Sequence, residues 1–275
     1  MGVVLALAAA AAYGLSDFVG GLASRRTTAW PVAFLAGVGG LLGALLLALS
    51  RDGDPSASDL AWGALSGLGS GLGSAFLYRG LAAGRMGVVA PVSAVGAAVV
   101  PVVVGVATGE RPTALVWLGI VAALPGIWLV SQEPDSAGGL AAGLLDGVLA
   151  GLGFGLLFSA MGQVPASAGF WPLVVSQGTG SVAIAVTAVV LGASWRPTAR
   201  SQLWGLAAGL LASAAVLCFL LATQGGLLAV AAVLTSLYPA FTVLLATLVL
   251  HERVHRAQGV GLGLCAVAVA LVATG

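Results

Sequence analysis

The sequence predicts an all-helical membrane protein of ten transmembrane helices, built as two inverted five-helix repeats. Three observations predict it. First, the chain of 275 residues is 60% hydrophobic and 7% charged, with a mean hydropathy of +1.11. Ordinary soluble domains carry about 25% charged residues, so this chain has too few polar groups to cover a water-facing surface. Second, charged or Pro/Gly-rich breaks divide it into apolar segments near the ~20 residues that a spanning helix needs. Third, the second half repeats the first at a nearly constant shift.

The segments, in order, are 2–23, 30–50, 59–81, 86–107, 113–131, 140–162, 170–192, 202–222, 227–249 and 256–274. The first lacks a basic leader, and its apolar run is longer than a signal peptide's core, so it reads as a spanning helix. The breaks between segments are short, and no soluble ATPase or sensor domain is expected. Gly63, Gly67 and Gly71 recur on the third segment, and Gly143, Gly147, Gly151 and Gly155 on the sixth. Such ridges let helix backbones approach closely in lipid, where apolar side chains alone give little drive to associate. Pro91, Pro101, Pro125 and Pro239 fall inside spanning segments, each removing one backbone hydrogen bond.

The repeat is legible residue by residue. At a shift of 141, Tyr13-Gly14 falls on Phe154-Gly155 and Trp30-Pro31 on Trp171-Pro172. After one inserted residue the shift is 142, and Trp62-Gly63 falls on Trp204-Gly205, Glu110 on Glu252, Arg111 on Arg253 and Gly119 on Gly261. The expected domains are therefore residues 1–135 and 136–275. Five helices is an odd number, so the second repeat enters the membrane from the opposite side. Inverted repeats of this kind are a transporter architecture, with the substrate site near the midplane between the halves.

Composition excludes several functions. All ten basic residues are Arg. Without Lys there is no P-loop lysine for phosphates and no Schiff base for pyridoxal chemistry. A net charge of +1 gives nucleic acid no basic surface. Cys218 and Cys265 lie in apolar runs and read as small core residues rather than a disulfide. No cofactor is expected.

The paired repeats, Tyr13-Gly14-Leu15-Ser16-Asp17 on the first segment, and the helix–Gly109-Glu110-Arg111–helix hairpin with its copy at Glu252-Arg253 together resemble the drug/metabolite transporter superfamily, in its ten-helix EamA-type branch. The resemblance covers essentially the whole chain; the second copy departs from it with His251 where the first has Gly109. It implies a secondary transporter, commonly an exporter of small metabolites or amphipathic compounds; the expected location is a cell's inner (plasma) membrane. It also implies a central cavity lined by segments 1–4 and 6–9, with segments 5 and 10 more peripheral. The implied partners are a small-molecule substrate and the lipid bilayer, with a homodimer allowed.

A competing motif is His251-Glu252-Arg253-Val254-His255, which matches H-E-x-x-H, the zinc site of metalloproteases. Glu252 has a counterpart, Glu110, whose flanks Gly109 and Thr113 cannot bind zinc, and the motif falls in a short turn. The plainer reading is structural: Glu110 and Glu252 cap helix starts and pair with Arg111 and Arg253 to fix the two hairpins.

Candidate substrate-binding residues are the intramembrane polar ones, above all those that break the repeat. Asp17 lies one helical turn past Tyr13, on the same face. A carboxylate in the bilayer interior costs about 2.5–3.5 kcal/mol on the insertion scale, so it should face a cavity or a partner. Arg79, near the same membrane face, is the expected partner, and proton coupling through Asp17 is the functional expectation; a structural ion pair is the alternative. Asp17 aligns with Phe158 and Arg79 with Leu221. Ser93, Gln177 and Tyr238 complete the set, as cavity lining or interhelical hydrogen-bonding groups. Asp146 is expected to be a solvated or N-terminal-turn acid at the start of segment six. Trp30, Trp62, Trp171 and Trp204, at segment starts, read as interfacial anchors.

Orientation is contested. Arg51 and Arg111 lie on the face carrying the chain ends, whereas Arg25, Arg26, Arg79, Arg85, Arg196, Arg200, Arg253 and Arg256 lie on the other. The positive-inside rule then places both ends outside, while the resemblance implies ends in the cytoplasm. A lipid-linked metabolite flippase and a membrane metalloprotease are the rival functions.

Overall fold

A computed structural model describes residues 1–24, 27–82, 86–132 and 140–275. Arg25, Arg26 and Arg85, counted above for orientation, lie outside the described residues. The described residues contain no strand. Their helices are α1 (Gly2–Ser24), α2 (Ala29–Ser50), α3 (Ala57–Ala82), α4 (Met86–Ala107), α5 (Ala114–Val130), α6 (Leu140–Met161), α7 (Trp171–Val190), α8 (Trp204–Gln224), α9 (Leu228–Thr235), α10 (Tyr238–Leu250) and α11 (Arg256–Thr274). Nine spans are long and apolar enough to cross a membrane, with α9 and α10 counted as one; α5, at 17 residues, is a shorter apolar helix. The helices begin where local chemistry ends a loop. Asp59 Oδ2 accepts from the Ser56 N–H at 2.8 Å at the head of α3, and the Thr113 hydroxyl accepts from Val116 N–H at 3.3 Å at the head of α5.

The ninth segment departs from the sequence expectation. It is two helices, broken at Ser236-Leu237. Pro239 has no N–H, and in a continuous helix its ring would meet the Thr235 carbonyl four residues back. The chain instead tightens, with Leu237 N–H on Leu234 O at 3.2 Å, and restarts with Pro239 in the first turn of α10. Pro91 and Pro101 remain inside α4, and Pro125 inside α5.

Packing follows the repeat. The α3/α6 contact has its counterpart in α8/α1, and α3/α7 in α8/α2. The glycines show why these pairs close so tightly. A Cβ at Gly63 would sit 2.9 Å from the Pro172 carbonyl carbon, and one at the equivalent Gly205 would sit 2.5 Å from the Val32 carbonyl oxygen. Gly67 and its mate Gly209 likewise press against the carbonyls of Ser176 and Ala36. Two helices of opposite halves thus meet backbone to backbone at equivalent levels. α5 and α11 pair with each other at the periphery, through Gly126 against Cys265 and Gly261 against Val130.

The face that carries Gly2 and Thr274 is here called proximal, and the opposite face distal. The proximal half is closed. Ala6, Met161, Phe219, Leu220, Leu228 and Val233 are buried in one apolar core. Loops of the two halves also meet there: Asp54 N–H donates to Ser167 O at 3.0 Å, and Gly53 lies against Gly169.

Candidate substrate cavity

A cavity of about 180 Å³ lies between the halves, running from mid-membrane toward the distal face. Its lining comes from α1, α2, α3, α4, α6, α7, α8 and α10, and from neither α5 nor α11. This is the helix set that the resemblance implied. α1 contributes Tyr13 and Asp17, one turn apart; α7 contributes Ser176 and Gln177; α10 contributes Tyr238 at its first position. The break between α9 and α10 is what puts Tyr238 at a helix start facing the cavity.

The inner end is aromatic. Tyr13 and Tyr238 have ring centroids 6.2 Å apart, inclined at 55°, and Phe158 meets the edge of Tyr13 at 6.0 Å and 80°. Phe158 packs against the buried Phe219, ring centroids 4.7 Å apart and planes inclined at 47°, which ties this wall to the proximal core. Gln177 lies over Gly40 of α2, where a Cβ would come within 2.6 Å of its amide nitrogen. Ser16 and Ser176 line the cavity but spend their hydroxyls on protein, donating to Ala208 O at 2.8 Å and Ser66 Oγ at 3.2 Å.

The structure brings together four of the six residues predicted to bind substrate: Tyr13, Asp17, Gln177 and Tyr238. It separates the other two. Ser93 is 1% exposed and turns its hydroxyl back onto Ala90 O at 2.9 Å, which satisfies it within its own helix. Arg79 pairs not with Asp17 but with Asp146, its Nε donating to Oδ1 at 2.7 Å and its Nη2 contacting the same oxygen. Asp146 is therefore not a solvated acid. It is 3% exposed, six residues inside α6 against α3, and a carboxylate held there requires a cation. The guanidinium also lies over the Phe76 ring at 4.8 Å.

Sequence reasoning missed Phe154 and Phe158 as lining residues. Their signal was present: they are the repeat mates of Tyr13 and Asp17. An inverted repeat brings equivalent positions of both halves to one central site, so the mate of a cavity residue is itself a cavity candidate.

The first hairpin is built differently from expectation. Glu110 does cap a helix start, but in the other half of the molecule. Its carboxylate accepts from Ala229 N–H at 3.0 Å and also from Leu228 N–H, the first two amides of α9. Gly109, with φ of 106°, turns the chain, and the side chain crosses Gly105, where a Cβ would collide with it. Arg111 bonds not to a carboxylate but to backbone, donating to Glu110 O at 2.9 Å. His251 occupies the equivalent of Gly109, and it too has positive φ, 57°, as the C-cap of α10. His255 is the N-cap of α11, with residues 252–254 forming the link. The two histidines thus end one helix and begin another. They do not share a helix face, as H-E-x-x-H chemistry requires, and no group of three metal-ligating side chains occurs among the described residues. Of the tryptophans, Trp62 and Trp204 face outward, whereas Trp30 is only 9% exposed and belongs to a small core with Ala33 and Ile184.

A helical membrane protein whose two like halves enclose one central cavity belongs, as a class, to the membrane transporters. The chain belongs to the EamA-like transporter family, whose profile matches residues 1–132 and again 141–274. It is a multi-pass membrane protein of a family of small-molecule transporters, not enzymes. A solved crystal structure at 18% sequence identity superposes with a TM-score of 0.67 over 99% of this chain and 97% of its own, a likeness of fold. No curated protein matches.

Proposed function

We propose that the chain is a secondary active transporter of the inner (plasma) membrane that exports small metabolites or amphipathic compounds by alternating access. One observation carries this reading. Tyr13, Asp17, Gln177 and Tyr238, from both halves, converge in one cavity, and among the described residues their side-chain polar atoms have no hydrogen-bond partner. Polar groups at membrane depth are costly unless something satisfies them, and a substrate would do so. The two states are related by exchanging the conformations of the repeats 1–135 and 136–275, whose helices interlock with each other rather than forming separate bodies. The cavity opens toward the distal face while the proximal face is sealed by the Glu110–α9 cap and the Asp54–Ser167 contact; the opposite state exchanges these roles.

With no nucleotide-binding sequence, the energy comes from proton coupling or exchange. Asp17 is the coupling residue because it is the acid among the described residues that line the cavity. A thermal-shift screen against small metabolites and amphipathic compounds identifies a ligand, since ligand binding raises apparent stability. Vesicles containing the protein and a pH-sensitive dye then report proton movement when that ligand is added. Wild type moves protons and Asp17→Asn does not; full proton-driven transport by Asp17→Asn ends the coupling assignment.

A second reading, a flippase for lipid-linked metabolites, draws on an apolar groove of about 580 Å³ between α3 and α7, lined by Leu68, Leu72, Val182 and Val186. It predicts that a lipid-linked ligand outcompetes its free headgroup.

A further inference from the structure

The cavity's charge is unbalanced. Asp17 lines it with an exposed side chain and has neither a hydrogen bond nor an ion pair among the described residues. Its expected counter-ion, Arg79, is engaged by Asp146 instead. No Arg or His is among the described residues that line the cavity. A carboxylate in the membrane interior needs a positive charge or a proton, and this protein supplies no cation to it within the described cavity.

The remaining walls suit the same kind of visitor. Tyr13, Tyr238 and Phe158 form an inclined set of rings at one end, one helical turn from the carboxylate. Ring faces attract cations through their quadrupole. Ser70, Ser74 and Gln177 add hydrogen-bonding groups that carry no charge. An anion would meet an uncompensated carboxylate at close range, and a zwitterion would find no cation among the described lining residues for its own carboxylate. At about 180 Å³, the cavity is smaller than the ~300–1,000 Å³ of pockets for drug-sized ligands.

We infer that this cavity selects small organic monocations, amines carrying an apolar or aromatic group, with Asp17 as counter-ion and the Tyr13–Phe158–Tyr238 wall as the seat of the apolar part. The inference rests on the reading of this cavity as the transport site and names the class of substrate it takes.

Four compounds of nearly one shape test it on the purified full-length chain: 2-phenylethylamine, 2-phenylethanol, 3-phenylpropionate and phenylalanine. Affinity is read by calorimetry at neutral pH. The expected order is amine first, with the alcohol at least tenfold weaker and the acid and amino acid weaker still. Asp17→Asn brings amine and alcohol to within about threefold of each other, and Asp17→Glu restores the amine's advantage, which guards against a folding artefact. Equal or tighter binding of the acid or the amino acid overturns the inference, as does an amine preference unchanged in Asp17→Asn. If none of the four binds, and a neutral or anionic compound found by screening is transported in a manner lost in Gln177→Ala, the cation class falls while the transporter stands. If transport survives substitution of both Asp17 and Gln177, the cavity is not the transport site and both readings fall.

Discussion

Arg79 and Asp146 show how far single residues can be read. Both break the repeat, Arg79 falling on Leu221 and Asp146 on Leu5, and both belong near the distal face. The sequence therefore contained the signal that they are partners. What it did not contain was which face of α6 meets α3, and that decides between Asp17 and Asp146 as the acid. The pair bridges the two halves, with Asp146 buried and the Arg79 side chain 41% exposed. Removing Arg79 takes this guanidinium from the buried Asp146 carboxylate. We expect Arg79→Met to lower stability by about 1–3 kcal/mol, the range for hydrogen bonds to charged groups, with partial solvation of the guanidinium keeping it below the cost of a fully buried pair. Adding Asp146→Leu should recover much of the loss. Thermal unfolding of the two single variants and the double variant in detergent measures the coupling; additive losses would show that the pair contributes nothing.

At the scale of elements, the ends of nine of the ten spans were legible because lipid demands one thing of every span: enough consecutive apolar residues. The broken ninth span was not, although Pro239 marked the place. Proline is accommodated inside α4 and α5 and interrupts here, and sequence does not say which neighbours will absorb a lost hydrogen bond. α9, like any helix, begins with amides that need an acceptor, and Glu110 of the opposite half supplies it. A carboxylate there satisfies two orphan donors and meets the positive end of the helix dipole. We expect Glu110→Ala to cost about 1–2 kcal/mol, the scale of a lost helix cap, and Glu110→Gln to cost less, since an amide oxygen still accepts but carries no charge. Thermal unfolding orders them as wild type, Gln, Ala. Equal melting temperatures for all three would remove the cap from the account of how the proximal face stays closed.

At the scale of the molecule, the architecture was legible because the repeat is an internal alignment, and an odd number of spans forces the inversion. The state of the molecule was not legible. Symmetric halves are compatible with a cavity opening either way, and only packing chooses. Here the proximal ends of α1, α6, α8 and α9 converge on Ala6, Met161, Phe219 and Leu228. The cavity residues Ala33, Ser74, Leu77 and Ile184 lie toward the distal ends of α2, α3 and α7. Access should therefore be one-sided. After replacement of the free thiols Cys218 and Cys265, a membrane-impermeant thiol reagent should label Ser74→Cys rapidly from the distal face. Met161→Cys should resist it from either face. Ligand that drives alternation should slow labelling at 74 and open 161 to the proximal face. The same reagent, applied to intact cells, assigns the orientation. If Ser74→Cys is labelled from outside, the distal face is extracellular and the chain ends are cytoplasmic, as in the family resemblance; the Arg distribution predicts the reverse. Equal labelling of both positions from one face would contradict a closed proximal core, and with it the reading of this structure as one of two alternating states.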